Sequence, residues 1–210
     1  MSALQPGPTA AILLALFSAG AFPLANAAEF SAGGYSFSDE LGGFRLLSAS
    51  GSGTPSDPIV VVEEIDEVAA VTLVVRRLAG EEPRVLLTQL TVVKAVANRS
   101  ERVWAGFEIS LQEILGRPSS YEDGLSFNQF AAQPPDVASD SFAENNRSFE
   151  PADRIRFQKG HVDPGATAHF KVTITDPTPV AKFYLVQDPQ LLSASLPQRP
   201  RAYAAQMTTR

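Results

Sequence analysis

The residues of this chain that could do chemistry are mainly carboxylates, because the sequence has no cysteine and only two histidines. Without cysteine there can be no disulfide, zinc finger, iron-sulfur cluster or thiol nucleophile, and two histidines cannot build a three-histidine metal site. His161 and Asp163, in the run His-Val-Asp-Pro-Gly, could form an acid-base pair or offer metal ligands. A turn explains Asp163 more simply, because Asp-Pro-Gly is a typical turn sequence. His169 falls on the polar face of a predicted strand, where we expect it to be solvated.

The segment 117–153 is the part of the sequence that most resembles a binding site. It mixes phenylalanines with acidic residues, and loops of this length are usually binding loops, lids or disordered segments. Its carboxylates could bind calcium, but the spacing of a calcium-binding loop is missing, so we predict no metal and no cofactor. Alternatively, the phenylalanines pin the segment to the domain. The residues predicted to bind a partner are Tyr121, Asp123, Phe130, Asp140 and Phe142.

Other candidate residues have structural explanations. Trp104 could form a stacking platform with Tyr121 or Tyr184, but a single tryptophan on a strand usually belongs to the core. The patterns of phosphate-binding loops, serine hydrolases, zinc proteases and dinucleotide sites are all missing. We therefore predict no catalytic residue. A cluster of acids is expected to crown the solvated end of a hairpin: Glu63, Glu64, Asp66 and Glu67.

The first 27 residues have the pattern of a secretory signal peptide. They carry no charged side chain, and their apolar run at positions 10–17 is too short to cross a membrane as a helix. Ala25-Asn26-Ala27 supplies the small residues that signal peptidase requires. We predict cleavage after Ala27 and export to the periplasm or the medium, with no membrane span in the mature chain. Because no Lys or Arg precedes the apolar run, the alternatives are an uncleaved anchor or a start codon placed too late.

The charge balance indicates which partners to expect. The chain has 17 basic and 23 acidic residues and a formal net charge of −6. Such a chain has no broad positive field with which to attract nucleic acid. We predict a protein or a component of the cell envelope as the partner, and no nucleic acid.

Short β-branched runs separated by turn residues predict three hairpins. The first joins 59–64 to 70–78, and the second joins 92–97 to 102–111. The third joins 154–159 to 166–175 through a type II turn at Asp163-Pro164-Gly165.

Alternation in the second strand of the second hairpin assigns its side chains to two faces. Phe107, Ile109 and Leu111 are predicted on one face and Trp104 on the other. We expect one helical turn after Leu111.

Together these patterns predict an all-β protein, an antiparallel β-sandwich of about seven to nine strands after an N-terminal signal peptide. The predicted organisation has four parts: a signal peptide at 1–27, a loosely ordered N-terminal segment at 28–57, a sandwich domain at 58–190 that contains the long loop 117–153, and a peripheral tail at 191–210. No long amphipathic helix interrupts the strand pattern.

The strand pattern over 59–187, with turns at Asn98-Arg99-Ser100 and Asp163-Pro164-Gly165, resembles secreted bacterial modules of immunoglobulin-like or fibronectin-III-like architecture. The immunoglobulin Cys–Trp–Cys core is missing, so the resemblance implies an architecture and no particular activity.

Three functions are compatible with the sequence. The leading hypothesis is an exported, non-enzymatic sandwich that binds a protein or an envelope component through its loops. The second is a carboxylate-dependent hydrolase or carbohydrate-active domain that uses acids of 117–153, since glycoside chemistry needs only two carboxyl groups. The third is a structural subunit of a surface assembly.

Overall fold

A computed structural model describes residues 27–79, 88–120, 122–127, 137–147 and 152–191. The predicted signal peptide, except Ala27, and the predicted tail, except Leu191, lie outside these ranges. The described residues form strands and contain no helix, which confirms the prediction of an all-β protein.

The structure has more strands than the seven to nine predicted. The described ranges contain thirteen strands: β1 (Glu29–Ala32), β2 (Tyr35–Ser38), β3 (Phe44–Ser50), β4 (Ile59–Ile65), β5 (Val71–Arg77), β6 (Thr88–Asn98), β7 (Trp104–Gln112), β8 (Ser126–Phe127), β9 (Ala138–Ser139), β10 (Phe142–Asn146), β11 (Arg154–Gly160), β12 (Thr167–Asp176) and β13 (Lys182–Leu191). The additional strands are short and lie in segments rich in glycine, serine or acids, where no apolar alternation marks them.

The strands form two sheets in a sandwich-like arrangement. The larger sheet has the order β1-β2-β5-β13-β7-β11-β10, and the smaller has the order β3-β4-β6-β12-β8, with β9 also paired to β12. Neighbours are antiparallel except β4 and β6, which run parallel. The smaller sheet is therefore mixed, which differs from the purely antiparallel prediction.

All three predicted hairpins are wrong in the same way. The strands of each pair lie in different sheets: β4, β6 and β12 belong to the smaller sheet, whereas β5, β7 and β11 belong to the larger one. The connections 66–70, 99–103 and 161–166 are long enough to cross the ~10 Å between two packed sheets, so a short connection does not require its two strands to pair. The turn at Asp163-Pro164-Gly165 does form: Ala166 N–H donates to Asp163 O at 3.0 Å, and Gly165 has a φ of 83°.

A β-bulge in β7 changes the predicted faces. The pairing of β7 with β13 shifts between Gln190 and Leu191, which lie opposite Gly106 and Trp104. The extra residue turns Trp104 to the same side as Phe107, and the two rings lie 5.5 Å apart in the core. The predicted helical turn after Leu111 is also wrong, because β7 continues to Gln112 and a tight turn bridges Ile114 and Arg117.

The N-terminal segment 28–57 contributes β1, β2 and β3, where we expected loose order. Phe37, Phe44 and Leu46 of this segment are buried in the core. Its glycine and serine content masked these few apolar positions in the sequence.

Aromatic rings join the two sheets at the centre of the core. Phe170 of β12 stacks on Phe107 of β7 at 4.5 Å between ring centroids and meets Phe157 of β11 edge-on at 4.9 Å. All three side chains are fully buried. Offset and edge-on ring pairs of this kind contribute about 0.5–1.5 kcal/mol each beyond the area that they bury. This cluster therefore holds β7 and β11 of the larger sheet against β12 of the smaller one.

Candidate functional site

The segment 117–153 is attached to both sheets rather than forming a free loop. Ser119 N–H donates to Leu111 O, and Asp153 N–H donates to Ser119 O, both at 2.9 Å, so the segment begins and ends beside β7. In between, β8 and β9 pair with β12 of the smaller sheet, and β10 pairs with β11 of the larger. The segment therefore crosses from one sheet to the other along one edge of the sandwich.

Two of its phenylalanines are core residues. Phe127 is 2% exposed and Phe142 is 5% exposed, and the Phe142 ring stacks on Phe170 at 6.0 Å. This placement agrees with the alternative that phenylalanines pin the segment to the sandwich. It leaves the Phe142 ring unavailable to a partner at the surface. Phe130 and Phe149 lie outside the described residues, as does Tyr121, so binding through Tyr121 and Phe130 stays a prediction.

Asp123 is used by the backbone of its own turn. One carboxylate oxygen accepts a hydrogen bond from Ser120 N–H and the other from Leu125 N–H, both at 3.2 Å. Thr178 Oγ1 donates to the Asp123 carbonyl at 3.1 Å and ties the turn to the chain before β13. Aspartate favours such turns because its side chain mimics a backbone acceptor. A role for Asp123 in binding is still a prediction.

Asp140 lies beside His169 at the point where the chain passes from β9 to β10. We call Ser139, Asp140, Ser141 and His169 the corner. Asp140 Oδ2 is 2.6 Å from His169 Nδ1, and Oδ1 accepts hydrogen bonds from His169 N–H at 2.8 Å and from Ser141 Oγ at 2.9 Å. Both members of the pair have side chains that are 52% exposed. The corner thus holds an ionisable pair at the surface in a fixed orientation.

The environment of Asp140 favours its ionised form. Partial burial opposes ionisation, but hydrogen bonds from the His169 backbone and imidazole and from Ser141, with the His169 charge, outweigh it. These contacts hold the pKa of Asp140 below its ordinary value. Because Nδ1 of His169 faces this carboxylate, Nε2 is the ring nitrogen left for a partner.

His161 and Asp163 do not form a comparable pair. His161 Nε2 and Asp163 Oδ2 are 3.8 Å apart, and both side chains are mostly exposed. Asp163 accepts the hydrogen bond that closes its turn through its carbonyl oxygen. The turn interpretation of this motif is sufficient.

Of the four acids predicted to be solvated, Glu63 and Glu64 are buried, which corrects the prediction for these two, whereas Asp66 and Glu67 are exposed as predicted. Glu64 contacts the guanidinium groups of Arg45 and Arg99. Glu63 is fully buried with its Oε1 2.8 Å from Lys94 Nζ, and Lys94 is fully buried as well. From the other sheet, Gln187 Nε2 donates to Glu63 Oε2 at 3.2 Å.

A periodic signal could have located this buried trio, defined as Glu63, Lys94 and Gln187. Glu63 is in phase with the buried Ile59, Val61 and Ile65 of β4, and Lys94 with the buried Val92 and Val96 of β6. An ionisable residue that takes the place of an apolar one in a strict alternation is expected on the core face. Sequence reasoning grouped Glu63 with its acidic neighbours instead.

The aromatic platform is not formed by Trp104, whose side chain is fully buried in the core. This agrees with the core interpretation of that residue. Tyr184 lies on β13 with Lys182 Nζ 5.2 Å from its ring centroid, so its face is already covered by a cation.

A small apolar cleft opens between Leu90, Leu125 and Phe183. Its acid, Asp176, accepts hydrogen bonds from Thr178 N–H and Val180 N–H, both at 3.0 Å, so this carboxylate stabilises a turn. The described part of the chain contains no cluster of three or more His, Cys, Asp or Glu side chains arranged to hold a metal ion. It also contains no helix long and apolar enough to span a membrane.

Comparison with protein-family models, with curated proteins and with solved structures finds no match to this chain.

Proposed function

We propose that this protein is an exported, non-enzymatic β-sandwich that binds another protein or a cell-envelope component through the corner. The observation that carries the proposal is the Asp140–His169 pair, which is half-exposed and oriented by backbone hydrogen bonds at the join of the two sheets. An exposed ion pair contributes little to stability, typically about 0–1 kcal/mol. Its ordered geometry is therefore better explained by recognition than by folding.

The surroundings of the corner support a binding role. The pair lies on a segment that both sheets hold in place, and binding residues are commonly found on loops that a rigid scaffold positions. The imidazole offers one ring nitrogen, and the carboxylate adds negative charge at the same point. A partner fits this chemistry if one of its groups hydrogen-bonds to the free ring nitrogen of His169 and a neighbouring cationic or neutral polar group contacts the Asp140 carboxylate.

Hydrolysis by carboxylates of 117–153 is less well supported. Such a reaction needs two carboxyl groups that face a substrate. Both carboxylate oxygens of Asp123 accept hydrogen bonds from backbone N–H groups, and Asp153 Oδ1 accepts a hydrogen bond from Ser126 Oγ at 2.7 Å. Export and the resemblance to immunoglobulin-like or fibronectin-III-like architecture remain part of the proposal and rest on the sequence patterns.

Substitution of the pair tests the proposed site. The double variant Asp140→Ala/His169→Ala should bind a component captured from an envelope preparation at least about tenfold more weakly than the wild type, which corresponds to about 1.4 kcal/mol. Affinity is measured with the purified component by titration calorimetry. The matched control is Glu40→Ala/Arg76→Ala, which removes another partly exposed ion pair, from the opposite part of the larger sheet.

The control should bind like the wild type. Equal affinity of the corner variant and the wild type would remove the corner from the binding site. A wild-type protein that captures nothing from protein and polysaccharide fractions of the envelope would contradict the proposed function itself.

A further inference from the structure

The buried trio brings an amine, a carboxyl group and a carboxamide together inside the core. Lys94 and Glu63 come from neighbouring strands of the smaller sheet, and Gln187 comes from β13 of the larger. All three side chains are fully buried. The two nitrogens share one carboxylate, with Lys94 Nζ 2.8 Å from Oε1 and Gln187 Nε2 3.2 Å from Oε2.

As a simple ion pair, the trio is poorly satisfied. A lysine ammonium has three N–H donors, but among the described residues Nζ has no partner apart from Glu63. Gln187 Oε1 is also buried without a hydrogen bond within the described part of the chain. Buried polar groups without partners are costly, and a buried ion pair with incomplete hydrogen bonding often fails to offset its desolvation.

Burial also changes the protonation of the amine. Desolvation lowers the pKa of Lys94, and the nearby Glu63 charge only partly opposes this effect. The lowered pKa of Lys94 favours its neutral amine over the buried ammonium. A neutral lysine amine is a nucleophile. The carboxyl group of Glu63 that contacts this amine also accepts the hydrogen bond from the Gln187 carboxamide, so Glu63 bridges the two groups inside the core.

We propose that Lys94 and Gln187 become joined by an intramolecular isopeptide bond across the core, with Glu63 as the group that transfers protons. Lys94 Nζ attacks Gln187 Cδ, and the Glu63 carboxyl group, which contacts both nitrogens, carries the proton between them. The Nζ–Cδ bond forms, and the Cδ–Nε2 bond breaks. One proton passes from Nζ through Glu63 to Nε2, which leaves as ammonia. One amide replaces another, so the step needs no oxidant, reductant or cofactor.

The bond would suit the position of the trio. It would link the smaller sheet to β13, an inner strand of the larger sheet, and it would remove a buried amine that has no partner but Glu63 among the described residues. Holding the groups in one rigid core supplies the proximity that makes a slow amide exchange feasible. A chain without cysteine would thereby obtain a covalent link between its sheets.

The intact mass of the folded protein tests this proposal. After prolonged incubation at neutral pH and then denaturation, the wild-type chain should be lighter than its sequence by one ammonia molecule. Proteolysis and tandem mass spectrometry should find the peptide that contains Lys94 attached to the one that contains Gln187. Unmodified mass in the folded protein, or ammonia loss located elsewhere, would overturn the proposal.

Variants separate the roles of the three residues. Glu63→Gln should retain the full mass, and Lys171→Arg, a matched control on β12, should lose ammonia like the wild type. Since Glu63→Gln could fail to fold, Glu63→Asp is made as well, and it should form the bond more slowly because its acid is one methylene shorter. Bond formation in folded Glu63→Gln at the wild-type rate would refute the role of Glu63.

Discussion

At the scale of single residues, the surroundings of a carboxyl group decide whether its charged form is favoured. Asp140 is half-exposed and its contacts favour the ionised form, whereas Asp153 lies inside the attachment of the segment 117–153. Burial, helped by the charge of Asp123, raises the pKa of Asp153, although the hydrogen bond from Ser126 opposes this effect. Asp153 Oδ2 is buried without a partner among the described residues.

The raised pKa of Asp153 gives a prediction for stability against pH. The folded protein binds the proton of the Asp153 carboxyl group more tightly than the unfolded chain does. The contribution of this proton to the free energy of unfolding is therefore complete below the unfolded pKa and is lost as the pH rises through the folded pKa. Asp153→Asn should therefore unfold at higher urea concentration than the wild type at pH 7. The difference should vanish below the ordinary pKa of 3.8.

Asp66→Asn is the control, because it removes one negative charge from an exposed position between β4 and β5. The difference between its urea midpoints of unfolding at neutral and at acid pH should equal that of the wild type. A destabilised Asp153→Asn at pH 7 would show that the carboxylate is needed in its ionised form.

Sequence reasoning located elements better than it paired them. Short β-branched runs bounded by turn residues predicted the positions of β4, β5, β7, β11 and β12, and the Asp163-Pro164-Gly165 turn formed as expected. The pairings failed because alternation specifies which face of a strand is buried and not which strand lies beside it. The bulge that turns Trp104 inward has no signal in that alternation.

The candidate site was only partly predictable for the same reason. Asp140 was selected from the composition of its segment, but its contact with His169 depends on the pairing of β9 with β12, which links residues far apart in the chain. The covering of Phe142 by Phe170 depends on packing between the two sheets. Both are tertiary contacts that no local pattern encodes.

At the scale of elements, the pairing of β10 with β11 depends on Gly160, which lies opposite Phe142. A Cβ added at this residue would lie 1.9 Å from Ser141 O and 2.9 Å from Phe142 Cα, both of which are backbone atoms. Gly160→Ala must therefore push the start of β10 away from β11. We expect a destabilisation of about 1–3 kcal/mol, the usual cost of overpacking, measured by urea unfolding.

Gly116→Ala serves as the comparison, because no atom lies within 4 Å of its added Cβ and only its φ of 85° causes strain. It should be less destabilising than Gly160→Ala and should keep the corner intact. If Gly160→Ala unfolds like the wild type, then β10 does not lie against β11 at this point.

At the scale of the whole molecule, the proposed binding site and the proposed bond lie in different places. The trio lies at the centre of the sandwich and would bond one sheet to the other, while the corner lies at one edge and faces solvent. A partner at the corner should therefore leave the centre of both sheets unchanged, since binding to a preformed scaffold usually moves the backbone little.

Hydrogen exchange of the protein, with and without the purified captured component, measures this directly. The account predicts slower exchange on binding in 137–147 and 167–171, which contain the corner, and unchanged exchange in β4 and β5. Protection confined to other segments, with the corner exchanging at its free rate in the saturated complex, would contradict it.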